Sequence, residues 1–81
     1  MTSDLIEKFI ESKEMSGQPV NIFFRQRSTI NGLFVQAYDY KDMKAKNFWR
    51  IVPATKAAEW NQTKDINLTR LFSGTDFLKI K

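Results

Sequence analysis

Cysteine and histidine are both absent from this chain of 81 residues. Without cysteine the chain has no disulfide, no thiolate metal site and no thiol nucleophile. Without histidine it lacks the usual acid–base group near neutral pH and the commonest nitrogen ligand for metals. Its three glycines are scattered, so no glycine-rich phosphate-binding loop is present. We therefore predict that the protein is not an enzyme and that it needs no cofactor and no metal.

The length predicts a single domain over residues 1–81, because a chain this short has no room for two hydrophobic cores. A chain of this size buries only somewhat more than about 60% of its unfolded surface, so a homo-oligomer would add useful buried area. No segment has the apolar stretch of a signal peptide or the length of a membrane span. The expectations are a cytoplasmic location and no membrane contact.

The charge is unevenly distributed along the chain. The formal net charge is +4. Residues 1–16 contain four acids and two lysines, a balance of −2, whereas residues 17–81 contain eleven lysines and arginines and five acids, a balance of +6. A basic body that follows an acidic leading segment is compatible with a polyanionic partner.

The hydrophobic pattern predicts one helix followed by five strands. An apolar stripe is formed by Leu5, Ile6, Phe9 and Ile10 and predicts a helix over 3–16. The helix is expected to end there because Gly17 and Pro19 follow. Over residues 19–81 apolar and polar side chains then alternate with the two-residue period of strands. A short helical insertion near 55–62 interrupts this pattern. The predicted strands are 20–24, 29–39, 47–52, 66–72 and 77–80, with a polar loop at 40–46.

The dipeptide Asn31-Gly32 has two interpretations. Asn-Gly between apolar residues is a strong signal for a two-residue hairpin turn. Such a turn would pair polar with apolar side chains repeatedly, which is a poor use of a buried face. A turn at 26–28 avoids this and places Gly32 inside the second strand, where a missing Cβ permits a sharp bend. We therefore predict the turn at 26–28.

This arrangement resembles the Sm-like family, which includes the LSm proteins and the bacterial RNA chaperone Hfq. The resemblance covers roughly residues 4–43 and is carried by Pro19-Val20-Asn21-Ile22 and by Ile30-Asn31-Gly32. Asp39 follows the glycine one position later than the aspartate of the family motif, and Lys44 stands where the family commonly has a base-contacting Asn. The resemblance implies an N-terminal helix, a small barrel and an assembled ring that binds RNA. The predicted fold class is α+β: an N-terminal helix followed by a small, strongly bent, five-stranded antiparallel barrel of the Sm-like or SH3-like type.

Basic and aromatic residues are interleaved over residues 38–50. Aromatic faces stack on unpaired bases and cations contact phosphates, so this mixture suits single-stranded nucleic acid. Strand alternation exposes only some of these side chains, and it leaves open whether Tyr40 or Trp49 stacks on a base. The predicted nucleic-acid-binding residues are Arg25, Arg27, Tyr40, Lys41, Lys44, Lys46, Trp49 and Arg50.

Two functions follow from these patterns. The first is non-enzymatic binding of single-stranded RNA or DNA through a basic and aromatic surface. The alternative is a protein–protein interaction module that uses a sheet edge or the region of Trp60. That tryptophan is expected to anchor the helical insertion onto the sheet, and an exposed anchor for a protein partner is the other interpretation.

Overall fold

The computed structural model describes residues 1–12 and 17–81 and has an α+β architecture. Within this part of the chain, five strands form one antiparallel sheet in the order β4-β3-β2-β1-β5. Helices pack on both faces of the sheet. The elements are α1 (Ser3–Ile10), β1 (Val20–Phe24), β2 (Ile30–Phe34), α2 (Tyr40–Ala45), β3 (Phe48–Pro53), α3 (Ala57–Thr63), β4 (Arg70–Ser73) and β5 (Phe77–Ile80), with single 3₁₀ turns at Ala54–Lys56, Ile66–Leu68 and Gly74–Asp76.

Helix α1 is amphipathic and has a side-chain cap at its N-terminus. The Thr2 hydroxyl accepts a hydrogen bond from the backbone N–H of Leu5 at 3.4 Å, which satisfies one of the unpaired donors of the first turn. Ile6 and Ile10 lie one turn apart and are both buried against the sheet. The predicted helix is thus confirmed over 3–10, it ends before Glu11 and Ser12, where the prediction is wrong, and residues 13–16 of the prediction lie outside the described residues.

Strands β1 and β2 form a hairpin whose loop spans 25–29, and Gly32 lies inside β2. The register pairs Val20 with Gly32 and Ile22 with Ile30. A Cβ at Gly32 would lie 2.7 Å from Cγ2 of Ile51 and 2.9 Å from the carbonyl oxygen of Val52 on β3. The prediction that Gly32 belongs to the strand is confirmed, and the glycine permits a close approach between β2 and β3.

The sheet is strongly curled. β4 and β1 are three strand spacings apart, which is about 14 Å in a flat sheet. The rings of Phe72 on β4 and Phe24 on β1 nevertheless have centroids only 5.3 Å apart. The ring centroid of Phe77 on β5 lies 5.2 Å from that of Phe24 and 6.2 Å from that of Phe34. The aromatic rings therefore fill the concave side of a sheet whose outer strands approach each other.

Two apolar clusters lie on opposite faces of the sheet. The larger one, on the concave face, joins α1 to alternate residues of β1 and β3 and to the phenylalanines of β4 and β5. The smaller one joins Leu33, Val35 and Val52 to Trp60 of α3. Trp60 is 8% exposed, so it anchors α3 onto the sheet as expected. An exposed Trp60 anchor for a protein partner is not available in this arrangement.

The structure differs from the sequence prediction in four places. The strand predicted over 29–39 is shorter, because β2 spans only Ile30–Phe34. Residues 40–45 form α2 instead of a loop. The predicted strand 66–72 begins with the 3₁₀ turn Ile66–Leu68, in which the Asp65 carboxylate accepts from the backbone N–H of Asn67, so β4 starts only at Arg70. Finally, no backbone ladder joins β4 to β5 within the described ranges, so the sheet is curled and open instead of a closed barrel.

Candidate nucleic-acid interface

The eight predicted interface residues fall into two groups. Four of them are held by contacts within the protein: Trp49, Arg50, Tyr40 and Lys44. The other four are exposed and form no ion pair with another described residue: Arg25, Arg27, Lys41 and Lys46.

Trp49 belongs to the core. Its side chain is 2% exposed, and its indole N–H donates to the Asn47 side-chain oxygen at 2.7 Å. Asn47 has φ 60°, a conformation that asparagine tolerates better than most residues, and its amide N–H also donates to the carbonyl of Met1 at 3.2 Å. A buried ring offers no face to a base, which corrects the expectation that Trp49 stacks on nucleic acid.

Arg50 is engaged in an ion pair with Asp39. The guanidinium donates through Nε to Oδ1 at 3.0 Å and through Nη2 to Oδ2 at 2.7 Å, and Nη1 donates to the Thr69 hydroxyl at 3.0 Å. The two side chains are only 19% and 12% exposed. The hydrogen bond from Arg50 holds the pKa of Asp39 below its usual value. This arrangement ties the segment after β2 to β3, so Arg50 acts in the fold and is not an available phosphate contact.

Tyr40 and Lys44 connect α2 to α1. The Lys44 ammonium lies 2.9 Å from a carboxylate oxygen of Glu7 and 5.3 Å from the centre of the Tyr40 ring. The Tyr40 hydroxyl donates to Glu11 at 3.4 Å, and its ring packs edge-on against Trp49. Burial, together with the nearby Glu11 and Glu7 charges, raises the pKa of Tyr40 to about 12. Both side chains therefore serve the contact between the two helices, and the Lys44 charge is compensated.

The turn Gly74–Asp76 brings together two basic segments that are distant in sequence. The backbone N–H of Arg25 donates to the carbonyl of Asp76 at 2.8 Å, and its Nε donates to the carbonyl of Thr75 at 3.4 Å. On the other side, the N–H of Gly74 donates to the carbonyl of Asn47 at 2.8 Å, directly after Lys46. A Cβ at Gly74 would collide with the Asn47 side chain, so the glycine is required for this contact. Arg25 and Lys46 therefore flank the same turn.

Arg27 extends this basic area across the open side of the sheet. Its guanidinium carbon lies 5.6 Å from the ring centre of Phe24 and 5.2 Å from that of Phe72. The planar cation thus rests on two aromatic rings from different strands while the residue stays exposed. An exposed guanidinium held in this way has lost part of its conformational freedom before any ligand arrives.

Lys41 lies near the N-terminal end of α2, away from Lys46, and beside an exposed aromatic ring. Tyr38 is 87% exposed. The two residues line a shallow depression of about 440 Å³ together with Gln36, Tyr40 and Asp42. Lys41 lies in the first turn of α2 and Lys46 directly follows the helix, so the two residues are about 7.5 Å apart along the helix axis. We call Arg25, Arg27, Lys41 and Lys46, with Tyr38, the basic strip.

Sequence reasoning missed three residues that decide this arrangement. Asp39 drew attention only through the family motif, although its position eleven residues before Arg50 allows pairing once the chain turns back into β3. Asn47 carried no signal, because its role depends on its positive φ and on contacts with Met1, Trp49 and Gly74 that only the fold brings about. Tyr38 was visible as part of the aromatic run, but alternation alone did not show that it, and not Trp49, is exposed.

Other chemistry receives little support from the described residues. Across 1–12 and 17–81, the acidic side chains nowhere form a group of three or more that could hold a metal ion. No helix in these ranges has the length and apolar character needed to cross a membrane. Comparisons with protein-family models, curated proteins and solved structures gave no match.

Proposed function

We propose that the protein binds single-stranded nucleic acid, with RNA favoured over DNA, through the basic strip and without catalysing a reaction. The observation that carries this proposal is the set of four exposed cations that lack an ion-pair partner among the described residues. Asp42 and Asp76 are the exposed acids beside them, so the strip keeps an excess of positive charge. A polyanion would neutralise this excess and release counterions.

Each member of the strip has a distinct role in this proposal. Arg25, Arg27 and Lys46 contact successive phosphates near the turn Gly74–Asp76, and Lys41 contacts a phosphate at the other end of α2. Tyr38 stacks on an unpaired base, since its exposed ring adjoins Lys41 in the same depression. Contacts to phosphates and one ring predict tight binding with little base selectivity.

The proposal also includes a relationship to the Sm-like family. It is supported by the leading helix, the order of the strands and the strongly curled sheet with a glycine inside β2. In that relationship the open side of the sheet, between β4 and β5, corresponds to the place where a small barrel would close.

The test is a fluorescence anisotropy titration of labelled oligo-U and oligo-A over a range of salt concentrations. We expect the double variant Lys41→Ala/Lys46→Ala to bind both oligomers more weakly. Its slope of log affinity against log salt should fall by about 1.4, since each phosphate contact on a single strand contributes about 0.7. The matched control is Lys56→Ala/Arg70→Ala, which removes two exposed cations outside the strip and should change the slope much less.

Two results would contradict the proposal. One is the absence of binding to either oligomer by the unaltered protein at high micromolar concentration and low salt. The other is an equal loss of affinity and slope in both double variants, which would show that only the net charge matters and that the basic strip is not the site.

A second candidate function is protein–protein interaction through a sheet edge, including assembly into a homo-oligomer. The observation that favours it is the pair of edge strands β4 and β5, which carry Leu71 at 44% exposure and Leu78 at 53% exposure. Unpaired edge strands can extend a sheet into another chain. Light scattering tests self-association: an oligomer that becomes a monomer in Leu78→Lys supports edge pairing, and a monomeric unaltered protein argues against it.

A further inference from the structure

The sheet face opposite α1 is covered over only part of its width. Trp60 of α3 covers the part formed by β2 and β3. Over β1, β5 and the start of β2 the same face presents Asn21, Asn31 and Lys79, all exposed, and the half-buried ring of Phe23. Strand alternation explains this, because Val20, Ile22 and Phe24 point to the core and the residues between them point away.

The strand register places these four side chains next to one another. Asn21 lies opposite Asn31, and the amide of Asn31 donates to Oδ1 of Asn21 at 3.0 Å. Phe23 lies opposite Lys79, whose ammonium is 4.9 Å from the centre of the ring. No further side-chain hydrogen bond among the described residues engages the amide nitrogen of Asn21 or the amide oxygen of Asn31. Both asparagines are exposed, so this donor and this acceptor are open to solvent on the same face of the sheet as the Phe23 ring.

We propose that these four residues form a base-binding platform for single-stranded nucleic acid, an inference that rests on the proposed function. One base stacks on Phe23 while its polar edge pairs with the amide nitrogen of Asn21 and the amide oxygen of Asn31. Lys79 leaves the ring and contacts a flanking phosphate. This exchange is favourable because stacking on a base is worth more than an exposed cation–π contact, and the lysine gains a charged partner.

Charge and continuity identify nucleic acid as the occupant. Lys81 exchanges two backbone hydrogen bonds with Asn21, at 2.8 and 3.0 Å, so a second lysine lies beside the asparagines. No acid occupies any of the paired positions of β1 with β2 or β5. Arg25 of the basic strip follows Phe23 by two residues, which is about 7 Å along an extended chain. A strand bound at Arg25 is therefore within about 7 Å of the platform.

The experiment compares a labelled oligo-dT with an abasic deoxyribose-phosphate oligomer of the same length, both titrated with the full chain. The abasic oligomer keeps every phosphate and lacks every base. We expect the unaltered protein to bind oligo-dT at least about fivefold more tightly. Phe23→Leu should lower the affinity for oligo-dT several-fold, because the ring is lost, and leave the affinity for the abasic oligomer unchanged. Phe48→Leu is the matched control, since Phe48 is also exposed and lies outside the platform.

Two further variants keep the test decisive if Phe23→Leu does not fold. Asn31→Ala alters an exposed side chain and should weaken binding of oligo-dT about threefold without affecting the abasic oligomer. Lys79→Ala should weaken binding of both oligomers equally and lower the salt slope by about 0.7.

The outcomes separate the two proposals. If oligo-dT and the abasic oligomer bind with equal affinity and Asn31→Ala changes neither, the platform and the stacking on Tyr38 are both wrong, and only the phosphate contacts of the basic strip stand. If neither oligomer binds, the platform is wrong, and if oligo-U also fails to bind, the proposed function is wrong as well. If Phe48→Leu reduces oligo-dT binding as much as Phe23→Leu does, the base contact is not located at Phe23.

Discussion

Residues 38–50 contain two sets of side chains of the same chemical types in different surroundings. Trp49 and Arg50 are buried or ion-paired within the fold, whereas Tyr38 and Lys46 are exposed. The strand period separates them in part: Trp49 points to the concave face, and the guanidinium of Arg50 is held by Asp39. Aromatic and basic composition therefore identifies a segment, and the packing of each residue decides whether it is available to a ligand.

The largest expected effect of a change in this segment is the loss of the Trp49 ring. Trp49→Ala should lower the free energy of unfolding by about 3–5 kcal/mol, because it opens a cavity beneath α2 and leaves the Asn47 side chain without its indole partner. Chemical denaturation followed by circular dichroism measures this loss. Tyr38→Ala is the control from the exposed set and should change stability by no more than about 0.5 kcal/mol. Equal effects of the two changes would contradict the division of the segment.

The sequence could predict the parts of this fold that depend on local periodicity. The alternation of Val20, Ile22 and Phe24 identified β1, and the poor cross-strand pairing of an Asn31-Gly32 turn placed Gly32 inside β2. Residues 40–46 were predicted as a loop because they are polar and charged. In the structure residues 40–45 form α2, and Lys44 and Tyr40 of this helix contact α1 and its C-cap. Such contacts join residues about thirty positions apart, and no local pattern reveals them.

The candidate site was predictable to a smaller extent for a related reason. Whether a cation is available depends on the acids that the fold places beside it. Arg50 meets Asp39 and Lys44 meets Glu7 only through tertiary structure. Lys79 reaches Phe23 through the pairing of the first strand with the last, 56 positions apart along the chain. The local sequence around each of these cations does not show whether it is paired in the folded protein.

The second prediction concerns the ion pair of Arg50 with Asp39. Asp39→Asn keeps the size of the side chain but removes its charge, and it should cost about 2 kcal/mol of stability because Arg50 stays largely shielded from water. The folded pKa of Asp39 is lowered by its hydrogen bond with Arg50. The pair therefore contributes fully above the unfolded pKa of about 3.9, and its contribution is lost as the pH falls through the lower folded value.

Denaturation of the unaltered protein and Asp39→Asn between pH 2 and 7 measures this contribution. The stability difference between the two proteins should be constant above about pH 5 and should shrink towards pH 2. A difference that does not depend on pH would show that the ionisation of Asp39 does not carry this contribution.

The third prediction concerns alkaline pH and Tyr40. Its folded pKa is raised to about 12, first by burial and then by the Glu11 charge. The resulting stabilisation is present below the unfolded pKa of about 10 and is lost as the pH rises through 12. Because the ring is only half-buried, solvent screening reduces the contribution to about 1 kcal/mol. Tyr40→Phe should remove this alkaline loss in denaturation series at pH 9 and pH 11.5, and an identical loss in both proteins would assign it to other groups.

The smallest expected effect comes from breaking the ion pair of Lys44. This change tests whether an unpaired Lys44 becomes available to a ligand. Glu7→Gln removes the carboxylate 2.9 Å from the Lys44 ammonium and should change stability very little, since both side chains are partly exposed. Lys44 lies on α2 between Lys41 and Lys46, so its uncompensated charge would extend the basic strip. Affinity for oligo-U at low salt should rise about two- to threefold, and the salt slope should steepen by about 0.7 if the lysine gains a phosphate contact.

Asp4→Asn is the matched control, because it removes the same charge from an exposed position of α1 that has no ion pair with another described residue. An equal gain in both variants would mean that oligonucleotide affinity follows net charge alone, whereas a gain confined to Glu7→Gln would mean that the fold controls affinity by choosing which cations are paired.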